Sequence, residues 1–343
     1  MCLASPPGSS GARGSSRTLR FEVQPAWQQI PPEITLGEVP GVATDSAGNV
    51  YLFNRGEHPV VVCDRHGTFL RTWGEGVFAR PHGITIGPDD AVYCVDDLGH
   101  NVHKFTLAGE RVFSLGSGRP AATGARGLDY RTIERPSGPF NCPTALAIAP
   151  NGELYVADGY GNARVHRFSP EGELIASWGT PGAEPGQFHL PHGIAVDRQG
   201  RVVVADRENS RLQWVSPEGE FLHQWPNLAR PTQVWIDAED RVFVTELGYR
   251  AGMFPGNTAG PGQRTGGRLS IFDAQGELAA RFGGGDNPCA WGDFFAPHDL
   301  AIDPFGDLYV GEVTLSAGGN AGLVSPDCPA LQKFVRVTDQ ETA

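Results

Sequence analysis

The sequence predicts an all-β chain closed into a single six-bladed β-propeller of four-stranded blades, and three observations carry that expectation. One phrase recurs six times, a proline followed by a small or polar residue and a short apolar run. It reads "VPGVATD" (39–45), "RPHGITI" (80–86), "CPTALAI" (142–148), "LPHGIAV" (190–196), "RPTQVWI" (230–236) and "APHDLAI" (296–302). Each phrase is followed by a turn and a second strand-like run: "GNVYLFN", "DAVYCVD", "GELYVAD", "GRVVVAD", "DRVFVTE" and "GDLYVGE". Finally, 46 glycines and 28 prolines in 343 residues supply many tight turns, and no segment sustains a helical period for long.

Taken in order, the elements fit this ring. The anchor prolines 40, 81, 143, 191, 231 and 297 lie 41, 62, 48, 40 and 66 residues apart. A period near forty residues holding four antiparallel strands is one propeller blade. Third and fourth strands follow in most copies, as in "ARVHRFSPEGELIASWG" (163–179). The two long spacings mark insertions at 117–141 and 251–267, rich in Gly, Pro and Arg. The last copy ends in "LQKFVRV" and lacks an outer strand, which "RFEVQPA" near the N-terminus can supply, closing the ring and removing an exposed edge. Residues 1–19 are expected to be a disordered tail and 20–343 the propeller; two or three separate β domains are the structural alternative.

Charge and cysteine content narrow the function. The net charge of −12, without any Lys or Arg cluster, argues against nucleic acid or an anionic membrane as partner. No apolar run reaches the roughly eighteen residues of a membrane span. The first twenty residues lack the apolar stretch of a secretory signal, so a cytoplasmic, reduced, monomeric protein is expected. The six cysteines (Cys2, Cys63, Cys94, Cys142, Cys289, Cys328) form no framework. Cys63 and Cys94 read as small buried hydrophobes. A Cys289–Cys328 bond is left open.

The innermost strand of a propeller blade lines the central channel, so residues at its start stand at one mouth. The residues after the anchor prolines are Gly41, His82, Thr144, His192, Thr232 and His298. The histidines fall in blades 2, 4 and 6, about 120° apart around the axis. Three imidazoles so placed form a tripod with an open fourth position, the arrangement of a catalytic zinc site. The bland alternative is a turn histidine with a satisfied ring, and strict alternation at one register weighs against it. His100 and His103 fall on opposite faces of a strand and are not joint ligands. His189 reads as turn surface.

The second strand returns to the same mouth, ending at Asn54-Arg55, Asp96-Asp97, Asp158-Gly159-Tyr160, Asp206-Arg207, Glu246 and Glu312. The recurring acids are expected to accept backbone N–H groups. Arg55, Arg207 and Tyr160 depart from that pattern and put two cations and a phenol beside the tripod. They suit a small substrate bearing a carboxylate, with Tyr160 carrying a proton. Asp299, after His298, is placed to bind a second cation in the channel.

At these residues the chain resembles a known family. Its blades are similar to NHL-repeat propellers. "NRGEH" (54–58), "DGYGNAR", "ADRENSR" and the three Pro-His motifs resemble peptidyl-α-hydroxyglycine α-amidating lyases over nearly all of residues 36–313. The resemblance implies zinc on His82, His192 and His298, Arg55 on the substrate carboxylate, Tyr160 as base and Arg207 assisting. It also implies a structural calcium held by Asp299 and the carbonyls of Val42 and Ile84. The implied reaction is metal-dependent carbon–nitrogen cleavage of a carbinolamide into an amide and glyoxylate. The disulfide that the family carries beside this tyrosine is not reproduced, since Cys142 is shifted by one and Gly161 stands in place of its partner. Two alternatives remain: a metal-dependent hydrolase or lactonase on another carboxylated metabolite, and a non-catalytic propeller binding a peptide or protein.

Overall fold

The computed structural model describes residues 19–249 and 266–337, so all but the last residue of the tail expected over 1–19, and all but the last two of the insertion expected at 251–267, lie outside the described residues. The chain forms six four-stranded antiparallel sheets. Their innermost strands are Gly41–Thr44, Pro81–Ile86, Ala145–Ile148, Pro191–Val196, Pro231–Ile236 and Pro297–Ile302. Each packs against the innermost strands of the blades before and after it, and the first packs against the last, closing the six-bladed ring.

The second strands, Val50–Phe53, Val92–Asp96, Leu154–Asp158, Val202–Asp206, Val242–Glu246 and Leu308–Glu312, are buried at every position. Both faces of a middle strand lie against neighbouring blades, which is why these segments read as continuous apolar runs rather than alternating ones. Outer strands such as Leu174–Trp178 expose one edge and bury mainly their last residue. Cys63 and Cys94 are buried and unbonded, as their apolar surroundings suggest.

Arg20–Gln24 is the outer strand of blade 6, antiparallel to Leu331–Val337, with Arg20 opposite Val337 and Gln24 opposite Lys333. The seam is pinned from both sides. Lys333 Nζ donates to the Arg65 carbonyl and pairs with Asp307 at 3.0 Å, over the rings of Trp27 and Tyr309. Trp27 Nε1 donates to the same Arg65 carbonyl at 3.0 Å.

Cys289 and Cys328 are joined in a disulfide, which the sequence left open. It ties the loop before the last anchor to the long segment after Glu312.

Candidate metal centre and active site

The acids that end the second strands hold the channel mouth together. Asp96, Asp158, Asp206, Glu246 and Glu312 each accept the N–H of the residue seventeen positions earlier: Ala79, Asn141, His189, Ala229 and Phe295. In blade 1 the Asn54 amide oxygen does the same for Gly37 at 2.8 Å. This common spacing gives each blade one structural register. It also corrects the sequence alignment of blade 1, where Pro40 rather than Gly41 stands level with His82, Thr144, His192, Thr232 and His298.

At the three histidines the ladder slips by a residue. Pro191 pairs with Asp206 but Gly193 with Ala205, and Pro297 pairs with Glu312 but Asp299 with Gly311. Blade 2 is irregular in the same place, between Pro81 and Ile84. Each histidine is thus an extra residue inside the strand, rather than before it, and a bulge of this kind re-aims a side chain out of the ladder. A glycine follows His82 and His192 because the next blade passes too close for a side chain. A Cβ on Gly83 would stand 2.7 Å from the Thr144 carbonyl oxygen, and one on Gly193 would stand 2.6 Å from that of Thr232.

His82, His192 and His298 converge as predicted. Their ring centroids are 4.6–4.9 Å apart, all three are buried, and their ligating nitrogens lie within 4.8 Å of one another. Each Nδ1 is 2.7 Å from a carbonyl oxygen of the following blade: Thr144 for His82, Thr232 for His192 and Pro40 for His298. A carbonyl only accepts, so Nδ1 carries the proton and Nε2 presents a lone pair. Burial holds all three imidazoles well below their ordinary pKa, helped by the neighbouring rings and arginines; His298 falls to about 3. Three neutral, pre-oriented nitrogen donors fit a zinc-like ion on chemical grounds.

Tyr160 is brought to the tripod by the turn after Asp158. Its hydroxyl lies 3.1 Å from His82 Nε2 and 3.3 Å from His192 Nε2. Gly159 is needed there, because a Cβ on it would overlap the Pro191 carbonyl. Arg207 lies over the ring, 5.6 Å from its centroid, and Arg80 lies 5.8 Å from it. Arg207 Nε donates to Glu208 at 2.8 Å, and Glu208 also receives Arg230 at 2.9 Å. Burial opposes the Glu208 charge, but the two guanidiniums outweigh it and hold the carboxyl below its usual range. Arg55 donates from Nε to the Pro81 carbonyl at 3.0 Å and from Nη1 to Glu38 at 2.9 Å.

Arg55, Tyr160, Arg207 and His298 therefore line one cavity of about 530 Å³. The sequence missed Arg80, which pairs with buried Asp97 (Nε–Oδ1, 2.8 Å), together with Glu38, Glu208 and Arg230. A signal for two of them was present: Arg80 and Arg230 both stand directly before an anchor proline. The insertion at 117–141 and the segment 313–323 also wall this cavity. His189 is half-buried against the Tyr130 ring, rather than surface, and stands apart from the tripod. Cys142 is buried and unbonded, and its backbone N–H donates to His100 Nδ1 at 3.1 Å.

On the other side of the tripod, Asp299, Val42 and Ile84 line a second cavity of about 350 Å³. Asp299 accepts the N–H groups of Val42 (3.1 Å) and Leu300 (2.9 Å) and the Gln233 amide (3.0 Å). Burial pushes its carboxyl up to about 7.

Comparison with known proteins agrees with this fold. The NHL repeat model matches residues 140–168 and 188–215, the first three strands of blades 3 and 4. The chain is 29% identical over 336 residues to peptidyl-alpha-hydroxyglycine alpha-amidating lyase 1 of Drosophila melanogaster, covering 85% of this chain and 58% of that protein. It is 31% identical over 248 residues to peptidyl-glycine alpha-amidating monooxygenase B of Xenopus laevis, covering 61% of this chain and 26% of that one. It is 32% identical over 237 residues to NHL repeat-containing protein 3 of Mus musculus, covering 62% and 65%. The chain thus spans less than two thirds of each of these relatives. Among solved structures, a streptogramin B lyase superposes with a TM-score of 0.59 at 11% identity over 93% of this chain and 98% of that one, a likeness of fold alone. The chain is a six-bladed propeller with NHL repeats matched in blades 3 and 4, and it resembles the amidating lyases.

Proposed function

We propose that this protein is a zinc-dependent lyase that cleaves the C–N bond of a peptidyl-α-hydroxyglycine or similar N-acyl carbinolamide, giving an amide and glyoxylate. One observation carries the reading: the Tyr160 hydroxyl lies on the Nε2 atoms of His82 and His192, beside the third imidazole of His298, on a cavity shared with Arg55 and Arg207. A zinc ion held by His82, His192 and His298 would act as a Lewis acid on the substrate hydroxyl and lower its pKa.

The chain's own groups supply the rest. Arg55 spends Nε and Nη1 on the protein, and among the described residues no hydrogen bond is made by Nη2, which is left to orient the substrate carboxylate. Deprotonated Tyr160 accepts the hydroxyl proton. The oxygen lone pair becomes the carbonyl of glyoxylate, the C–N electron pair leaves on nitrogen, and that nitrogen takes the proton back from Tyr160. Arg80 and Arg207 flank the ring and offset the phenolate charge it carries before and after those transfers. Asp299 and the strand backbone at Val42 line one cavity, where the Asp299 carboxylate and the Val42 and Ile84 carbonyls would be the oxygen donors. With Ile84 beside them, this oxygen-rich floor suits a hard structural cation such as calcium.

The test is direct. Purified protein given zinc and α-hydroxyhippurate should release glyoxylate, and His192→Ala should abolish that release. Zinc-loaded protein that releases none overturns the reading. The mouse relative named for its NHL repeats favours one alternative, a non-catalytic propeller. Elemental analysis separates the two, because a scaffold carries no stoichiometric metal.

A further inference from the structure

Tyr160 stands between Gly159 and Gly161, so neither neighbour has a side chain to wedge it in place. Its hydroxyl nonetheless lies 3.1 and 3.3 Å from two histidine nitrogens. The backbone of this turn is held by the end of the insertion at 117–141 and the residue after it. The Tyr160 N–H donates to the Cys142 carbonyl at 3.4 Å, and the Gly161 N–H donates to the Asn141 carbonyl at 3.0 Å. In return the Asn141 N–H donates to both carboxylate oxygens of Asp158, at 2.9 and 3.0 Å. A Cβ on Gly161 would come 2.5 Å from Asn141 Cγ, so the Asn141 side chain packs directly on the turn.

Two buried asparagines lock the turn to the insertion. Asn141 Nδ2 donates to the Thr123 hydroxyl at 2.9 Å and to the Ala121 carbonyl at 3.2 Å. Asn162 accepts the Ser137 N–H at 2.9 Å and donates to Asp158 at 2.7 Å. It also donates to the carbonyls of Ser137 and Gly138, each at 3.3 Å. Asp158 further receives His166 Nε2 at 3.2 Å. Asn141, Asn162, Asp158 and Thr123 are all buried, and a buried polar network is rigid only while each member keeps its partners. At the register of Asn141, blades 2, 5 and 6 have Ala79, Ala229 and Phe295, whose side chains offer no hydrogen bond. The polar lock therefore belongs to the blade that carries Tyr160.

We propose that the insertion at 117–141 is a bracket for Tyr160, and that Asn141 and Asn162 are its positioning residues. The bracket touches no reacting atom. It fixes the path of the Asp158–Asn162 backbone, and through it the place of the phenol oxygen over His82 and His192. The proposal rests on the lyase reading for what Tyr160 does, and on the hydrogen bonds alone for how Tyr160 is held. Proton transfer needs heavy atoms roughly 2.6–3.2 Å apart, and a displacement of about 1 Å costs about 10²-fold in rate.

The experiment uses variants of the zinc-loaded full chain with α-hydroxyhippurate as substrate. Asn162→Ala should lower kcat by roughly 10–10², with KM within about twofold and zinc content unchanged. Thr123→Val removes the hydroxyl that Asn141 Nδ2 donates to and should lower kcat about fivefold, while Thr123→Ser should restore it. Either loss should vanish in a Tyr160→Phe background, because the bracket acts through that phenol. If Asn162→Ala does not fold, the Thr123 pair decides. Hydrogen exchange reads the lock without turnover: the Tyr160 and Gly161 amides should exchange at least about tenfold faster in Asn162→Ala, with Val202–Asp206 unchanged. A kcat equal to the parent's, loss of zinc, or a full further loss on top of Tyr160→Phe overturns the proposal. Faster exchange at those two amides in a protein that never releases glyoxylate leaves the bracket standing and removes the lyase reading. Glyoxylate release by the parent, with exchange and kcat unmoved in the variants, does the reverse.

Discussion

Blades 2, 4 and 6 share one strand register with blades 1, 3 and 5, yet the two sets do different work. The even blades carry a histidine at that register and turn it to the axis, through a strand bulge that blade 5 shares at Thr232. The odd blades present a backbone carbonyl, from Pro40, Thr144 or Thr232, that receives the histidine's Nδ1 proton. The odd blades also hold the even ones in place. Thr144 and Thr232 hydroxyls donate to the Pro191 and Pro297 carbonyls at 3.0 and 2.9 Å. Blade 1 has proline at this position and no hydroxyl, and Arg55 Nε fills the gap by donating to the Pro81 carbonyl. A circuit of hydrogen bonds therefore surrounds the tripod, and Arg55 joins it as well as lining the cavity above. Alternation makes ligands in one half of the ring and their orienters in the other.

The sharpest way to break the comparison is to move the same small change between the two sets. His192→Ala should lower bound metal from about one equivalent to near zero and take glyoxylate release to background, while Thr232→Ala should keep the metal; elemental analysis reads both. Next in size, Tyr160→Phe should cut kcat by roughly 10²–10⁴ with metal content unchanged, since it removes the proton carrier and no ligand. Blade 1 is probed through Glu38. Glu38→Gln weakens the charged anchor of Arg55 and should raise KM about tenfold, more than it lowers kcat. The smallest effect belongs to the odd-blade hydroxyls. Thr144→Val and Thr232→Val should each cost about 1 kcal/mol in thermal unfolding, with a shift in metal affinity below tenfold. A Thr→Val change that strips the metal as His192→Ala does would erase the division of labour.

Repetition decided what the sequence could show. Six copies of one phrase made the blades countable, and counting gave the alternation of His82, His192 and His298 before any contact was known. Arg55, Tyr160 and Arg207 stood out because they interrupt a repeated acidic pattern. What did not repeat was hidden. The bulges need strand pairing to be seen, and so does the one-residue offset that puts Pro40 at the level of Thr144. Glu38, Arg80 and Glu208 act through partners sixteen or more residues away or across a blade boundary, as in Arg80–Asp97 and Arg230–Glu208. The cavity lining draws on Leu128 and Leu323, nearly two hundred residues apart and in segments outside the blade pattern.

The seam between the first and last blades has a consequence for when the protein acquires its chemistry. His298 is oriented by Pro40, and Asp299 is held by Val42, so the last blade completes the centre only by docking on the first. During synthesis His82 and His192 emerge long before their third partner, and no stretch of chain short of Leu331–Val337 can lock Arg20–Gln24 into place. A partly made or nicked chain thus presents two imidazoles and an open ring, too few donors to hold an ion tightly. On the metal reading, loading would wait for the closed ring, and a bound ion would fasten blades 2, 4 and 6 together.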